Sequence, residues 1–233
     1  MTVILFNKPY GVLSQFSPEG NHRALNEFHF PKGVYAAGRL DHDSEGALLL
    51  TDNGQLIKIL LDPKMAHPRT YLAQVEGQIT KEAIQKLMDG VVIQGYHTKK
   101  CKAEIVPEPK DLWDRNPPIR YRANIPTSWV KLTLTEGKNR QVRHMTAAVG
   151  FPTLRLVRIQ IDKLGLEGLK PGEWKDVTAV FRQTTMQSTR MRPESQQERP
   201  RSASTGAKHR RTTPNGRIPH GMHGKRNRSN RDR

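Results

Sequence analysis

Two short apolar runs, Val34-Tyr35-Ala36-Ala37 and Ala47-Leu48-Leu49-Leu50, are separated by only nine residues, Gly38-Arg39-Leu40-Asp41-His42-Asp43-Ser44-Glu45-Gly46. Short apolar runs bounded by Gly read as buried strands. A connection of this length cannot hold the crossover that joins parallel neighbours, so it favours antiparallel pairing. It also sets Asp41 on a loop between two rigid elements, an arrangement that can aim a side chain. Taken alone, an acidic loop is most simply a solvated turn. The remainder of the chain has to decide.

The same grammar recurs elsewhere. Residues 2–6 predict a strand closed by the turn Asn7-Lys8-Pro9-Tyr10-Gly11, with residues 12–16 pairing beyond it. Leu56, Ile59 and Leu60 at helical spacing predict a short helix stopped by Asp62-Pro63. Tyr71, Ala73 and Val75 alternate along a strand over 69–77. Thr80 then caps a helix that turns Ile84, Leu87 and Met88 inward and ends at Asp89-Gly90. Residues 107–126, dense in Pro and charge, predict an irregular connection that Trp113 can pin. Residues 129–135 alternate as a strand, and Asn139 is placed to cap a helix through Val142, Met145 and Val149. A strand follows over 154–161. Pro171-Gly172-Glu173-Trp174 introduces a last ordered segment near 177–181. The expectation is a single α/β (α+β) domain over 1–183, a mixed but mainly antiparallel sheet with flanking helices and no internal repeat.

The formal net charge is +17, and residues 184–233 carry +10 of it, with 13 Lys and Arg against 3 acidic residues. This tail is rich in Arg, Ser, Thr, Gly and Pro, and its few apolar residues show no period. Burial cannot offset its ordering entropy, so it is expected to be disordered. A cationic chain seeks polyanions, which makes nucleic acid the leading partner. Membrane is disfavoured, since no apolar run approaches about 20 residues. The N-terminus lacks a basic leader with a cleavage pattern, and Cys101 is the only cysteine. A cytoplasmic address and a monomer are expected.

Asp41, Asp43 and Glu45 with Gly46 imitate positions 1, 3, 5 and 6 of a calcium loop, but Leu49 and Asp52 stand at positions 9 and 12 and the flanks are strand-like. Calcium is rejected. Lys138-Asn139-Arg140-Gln141-Val142-Arg143-His144 places cations at a helix start, where free amides already favour anions. Arg143 borders the apolar stripe of that helix, so its guanidinium can turn toward a buried carboxylate such as Asp41. Tyr71 faces inward, as core packing or as a platform for a base. Arg69 beside it suits a phosphate. His67 reads as a surface residue, and the nine histidines show no metal-ligand spacing apart from the weak pair His220 and His223.

Five separated blocks stand out: Asn7-Lys8-Pro9, Gly38-Arg39-Leu40-Asp41 with Gly46, Arg69-Thr70-Tyr71, Gly137-Lys138-Asn139-Arg140-Gln141-Val142-Arg143 and Pro171-Gly172-Glu173-Trp174. Together, over residues 3–183, they resemble the bacterial rRNA pseudouridine synthases of the type lettered A for the small ribosomal subunit. More narrowly, residues 34–45, 115–120 and 125–158 look like members that act on 23S rRNA, free or in a large-subunit precursor. The resemblance implies that Asp41 is the catalytic aspartate, Tyr71 the ring packed against the target base and Arg143 the basic partner of the aspartate. It implies that Arg39 fills the stack vacated by the flipped nucleotide. Lys8, Arg69, Lys138 and Arg140 are expected to contact the substrate. Arg69 stands where relatives often have Lys, and the small N-terminal RNA-binding module that many relatives carry is not expected here.

The implied reaction breaks the C1′–N1 bond of uridine and rejoins the ring through C5, so the base must first leave its stack. No redox change or phosphoryl transfer occurs, and neither cofactor nor metal is expected. Asp41 must be ionised, as nucleophile or as the base that removes the C2′ proton. Burial opposes that charge and a nearby cation favours it. Two rival classes remain, a noncatalytic rRNA-binding assembly factor and a base-removing glycosidase.

Overall fold

The computed structural model describes residues 1–119 and 125–182. The tail expected to be disordered, residues 184–233, lies outside the described residues, as does Arg120. In chain order the elements are strand β1 (Val3–Lys8), a 3-10 turn (Leu25–Glu27), β2 (Tyr35–Ala36), β3 (Glu45–Thr51), helix α1 (Gly54–Leu61), β4 (Arg69–Glu76), α2 (Lys81–Asp89), β5 (Val92–Ile93), β6 (Tyr96–His97), β7 (Lys102–Val106), β8 (Thr127–Leu134), α3 (Gln141–Ala148), β9 (Thr153–Ile161), β10 (Leu164–Gly165) and β11 (Trp174–Asp176). One sheet runs β11-β1-β3-β9-β4-β8-β7, with β2 paired to β3 and β10 to β9. Its ladders are antiparallel except β3 with β9, where Glu45 and Gly46 pair parallel with Val157 and Arg158. The fold is therefore the mixed, mainly antiparallel one that short connections favour.

Strands β1 and β3 are buried on both faces. Val3, Leu5, Ala47 and Leu49 pack toward Leu60 of α1, whereas Ile4, Phe6, Leu48 and Leu50 pack against Leu25 and Val34 on the other side. Phe6 sits edge-on to Phe28 and Phe30 there. A strand covered on two faces needs an unbroken apolar run, which is how both read in sequence. On the other half of the sheet, Tyr71, Ala73 and Val75 of β4 alternate toward Ile84 and Leu87 of α2 and Val142 and Met145 of α3.

Capping explains where the helices begin. Asn53 Oδ1 accepts from the amides of Gln55 and Leu56, and Thr80 Oγ1 accepts from that of Ala83, each supplying a partner to a first-turn N–H. Two expectations need correction. Residues 12–16 form no strand and contribute only an isolated bridge, Val12 to Arg23, because Gly11 turns the chain away after Lys8. The N-cap of α3 is Arg140 in the left-handed conformation, φ 48°, and not Asn139. Gln141 Oε1 instead folds back to accept from the amide of Lys138.

Candidate active site

The loop between β2 and β3 is tied down residue by residue. Ser14 Oγ donates to the carbonyl of Leu40 and accepts from its amide, and Gly11 N donates to His42 O at 2.7 Å. Lys8 Nζ donates to the carbonyls of Pro9, Val12 and His42, while Arg143 donates to Asp43 O at 2.8 Å. Glu45, the first residue of β3, is held by a bidentate contact from Arg155 and by Trp113 Nε1 at 2.8 Å. Trp113 thus pins its Pro-rich segment, and it does so directly under the acidic loop. Gly46 is required by close approach, since a Cβ there would lie 2.3 Å from Arg158 O and its φ is +107°. This glycine lets β3 meet β9 beside the loop.

A cavity of about 450 Å³ opens above this junction. Asp41 reaches it from the loop, Arg140 from the start of α3, Tyr71 and Arg69 from β4, and Arg158 from β9. Its floor is the end of the hydrophobic core, where Leu40, Leu134, Val142 and Leu156 meet Tyr71. Arg39 and Lys138 lie exposed at its rim. Six of the eight residues singled out from sequence, Arg39, Asp41, Arg69, Tyr71, Lys138 and Arg140, therefore share one cavity wall.

Lys8 and Arg143 do not line it. Lys8 is fully buried in β1, and its amine donates to three carbonyls of the adjoining turns, so the exposed substrate contact expected of it is not on the cavity surface. Burial lowers its pKa to about 7, against the opposing pull of Glu45, Asp43 and Asp41. Helical spacing pairs Arg143 with Asp41, but the guanidinium in ion-pair contact with Asp41 is that of Arg140, at 3.4 Å. Arg143 reaches Asp43 Oδ2 at 3.4 Å and the carbonyls of Asp43 and Thr153. Arg140 is the left-handed N-cap of α3, one turn before Arg143 and outside the helical stripe from which Arg143 is read.

Asp43, unassigned from sequence, is the hub of this arrangement. Arg140 grips both its oxygens at 3.0 and 2.9 Å. Burial works against its charge, but the bonds from Arg140 and the charges of Arg143 and Arg140 outweigh it and hold the carboxyl below the usual range. Its bonds to Asp43 hold Arg140 above its ordinary value, whereas burial brings Arg143 below its own. A further carboxylate steadies the turn before α3. Glu136 accepts from Tyr96, the amide of Lys99 and Gln141, and Lys138 Nζ lies 4.3 Å from the centre of the Tyr96 ring. Burial opposes ionisation of Glu136, yet these bonds hold its carboxyl below the ordinary value.

A carboxylate and an aromatic ring lining one cationic cleft suit a base taken out of its stack. The family profile described as RNA pseudouridylate synthase matches residues 2–148. The chain belongs to this family. It is 50% identical over 182 residues to ribosomal large subunit pseudouridine synthase E of Xanthomonas campestris pv. campestris, covering 76% of this chain and 97% of that one. The synthase E of Vibrio vulnificus is 49% identical over 176 residues, covering 76% and 75%. A solved pseudouridylate synthase superposes with a TM-score of 0.64 at 27% identity, covering 77% of this chain and 71% of that structure. The chain is thus an RNA pseudouridine synthase of mixed α/β fold. The small-ribosomal-subunit type suggested by the motifs gains nothing from these relatives, which are named for the large one. Among the described residues no helix is long and apolar enough to cross a membrane.

Proposed function

We propose that this enzyme isomerises a specific uridine to pseudouridine in 23S rRNA of the large ribosomal subunit or its precursor. The observation that carries the reading is Asp41, a partly exposed carboxylate in ion-pair contact with Arg140 on the wall of the cavity that also holds Tyr71. The names of the synthase E relatives support the substrate. In this reading the target uridine is everted into the cavity and its base packs on Tyr71, which contributes about 1–3 kcal/mol toward the cost of extrusion. Arg39, exposed at the rim, enters the vacated stack. Asp41 then acts on C1′ or on the C2′ proton, the C1′–N1 bond breaks and C5 bonds to C1′. The proton on C5 leaves to water and N1 gains one.

Incubation of large-subunit rRNA carrying 5-tritiated uridine tests this. Tritium should appear in water at one site per molecule, with strand and mass otherwise intact. Binding without release would leave only an assembly factor, and an abasic product would leave a glycosidase. The cationic segment 184–233 serves recruitment in this proposal. Its deletion should weaken RNA affinity and flatten the salt slope by about 0.7 per lost contact on single strands, and an unchanged slope would assign it no part in binding.

A further inference from the structure

Strand β9 carries an irregularity that no role yet accounts for. Along its ladder with β4, Thr70 pairs with Gln160 but Tyr71 pairs with Arg158, so Ile159 is passed over. Bulges of this kind re-aim side chains next to active sites. Without it, strict alternation would set Ile159 across from Tyr71. With it, Arg158 stands across from Tyr71, and both line the cavity.

Arg158 is otherwise a residue in the wrong place. It is only 5% exposed, and its Nε donates to Ala47 O at 2.7 Å. Among the described residues neither Nη has an acceptor and no carboxylate comes within ion-pair distance. Arg69, on the same wall, is met among the described residues by the carbonyls of Leu60 and His67 and by no carboxylate. Burial, and then the charge of Arg158, pull Arg69 below the ordinary arginine value. Two half-desolvated like charges without a counter-ion are costly to keep. A neutral uracil edge would leave both uncompensated, whereas a phosphodiester supplies the missing charge and two acceptor oxygens matched to guanidinium forks.

We propose that Arg158, aimed by the bulge in β9, joins Arg69 to seat a backbone phosphate flanking the everted nucleotide, and so fixes the nucleoside against Tyr71 and Asp41. The inference rests on the proposed reading of the cavity and deepens it. Both residues bind and position; the chemistry stays with Asp41.

RNA substrates with a neutral methylphosphonate at the linkage 5′ or 3′ of the target uridine supply the test, in single-turnover tritium release with wild type and Arg158→Gln. One linkage should lower wild-type kcat/KM by about 10- to 100-fold, Arg158→Gln should lose a similar factor on native RNA, and the two losses should not multiply. Arg69→Gln should show the same non-additivity at the same linkage, which protects the test if Arg158→Gln melts early. Losses that multiply at both linkages would overturn the proposal and move Arg158 to the uracil edge or to structure alone. Absence of tritium release by wild type on native RNA would instead overturn the reading of the cavity.

Discussion

Two carboxylate–arginine pairs leave the same stretch of chain four residues apart and serve different ends. Glu45 and Arg155 meet through two bonds of 2.8 and 3.0 Å, with side chains 2% and 8% exposed. Trp113 closes over them, donating to Glu45 and accepting from Arg155. Asp41 and Arg140 meet through one contact of 3.4 Å, with side chains 31% and 37% exposed on a cavity wall. A sealed pair has no partner left to gain, so it holds β3 to β9 and positions whatever the preceding loop carries. An open pair holds a carboxylate in place while leaving its oxygens to a substrate. The sealed pair costs desolvation and contributes placement; the open one contributes chemistry.

Breaking the sealed pair should have the largest effect on stability. Glu45→Ala leaves Arg155 buried and uncompensated, and should lower unfolding free energy by about 3–5 kcal/mol in urea titration. Glu45→Leu with Arg155→Leu should cost less than either single change. If Glu45→Ala is near neutral, the pair is not holding the sheet.

The open pair should respond in rate instead. Arg140→Gln should lower single-turnover rate by about 100-fold while costing about 1 kcal/mol or less in stability, since half-exposed pairs contribute little to folding. A loss of stability comparable to that of Glu45→Ala would erase the distinction between the two pairs.

Lys8 lies beneath both pairs and sharpens the contrast by pH. Its ordinary value of 10.5 falls to about 7 in the folded chain. Between those values the unfolded chain binds a proton that the folded chain refuses, so this contribution to stability is full above about pH 10.5, falls as pH drops through the window and is flat below about 7. Relative to Lys8→Met, wild type should therefore gain about 1.4 kcal/mol per unit as pH rises from 7 to 9. A constant difference would show that Lys8 is charged in the fold throughout.

Much of this is legible in the chain alone. The apolar runs of β1 and β3, the Thr80 cap and the alternation around Tyr71 follow from local rules, whereas only the family resemblance brings Asp41 and Tyr71 to one site, since β9 lies between β3 and β4 in the sheet. What escapes depends on contacts distant in sequence or on rare backbone states. Helical spacing favours Arg143 over Arg140 as the partner of Asp41, because periodicity carries no sign of a non-glycine residue at φ 48°. Lys8 belongs to a motif whose polar residues suggest exposure, yet β1 extends through them under cover from both faces. The placing of Arg158 beside Tyr71 arises from the register of β4 against β9, which neither strand specifies alone. Trp113 is legible as a pin, but its anchor, the Glu45 and Arg155 pair, joins residues 110 apart in sequence.

The contrast between carboxylates can be brought to one assay. Tritium release under single-turnover conditions should be measured for Asp41→Asn beside Asp43→Asn, with RNA affinity determined for both. Asp41→Asn should bind RNA as wild type does and release tritium at less than about one thousandth of its rate, while Asp43→Asn, altered in what holds Arg140 and Arg143, keeps measurable turnover. Wild-type rates from Asp41→Asn would remove the reacting carboxylate from this loop altogether.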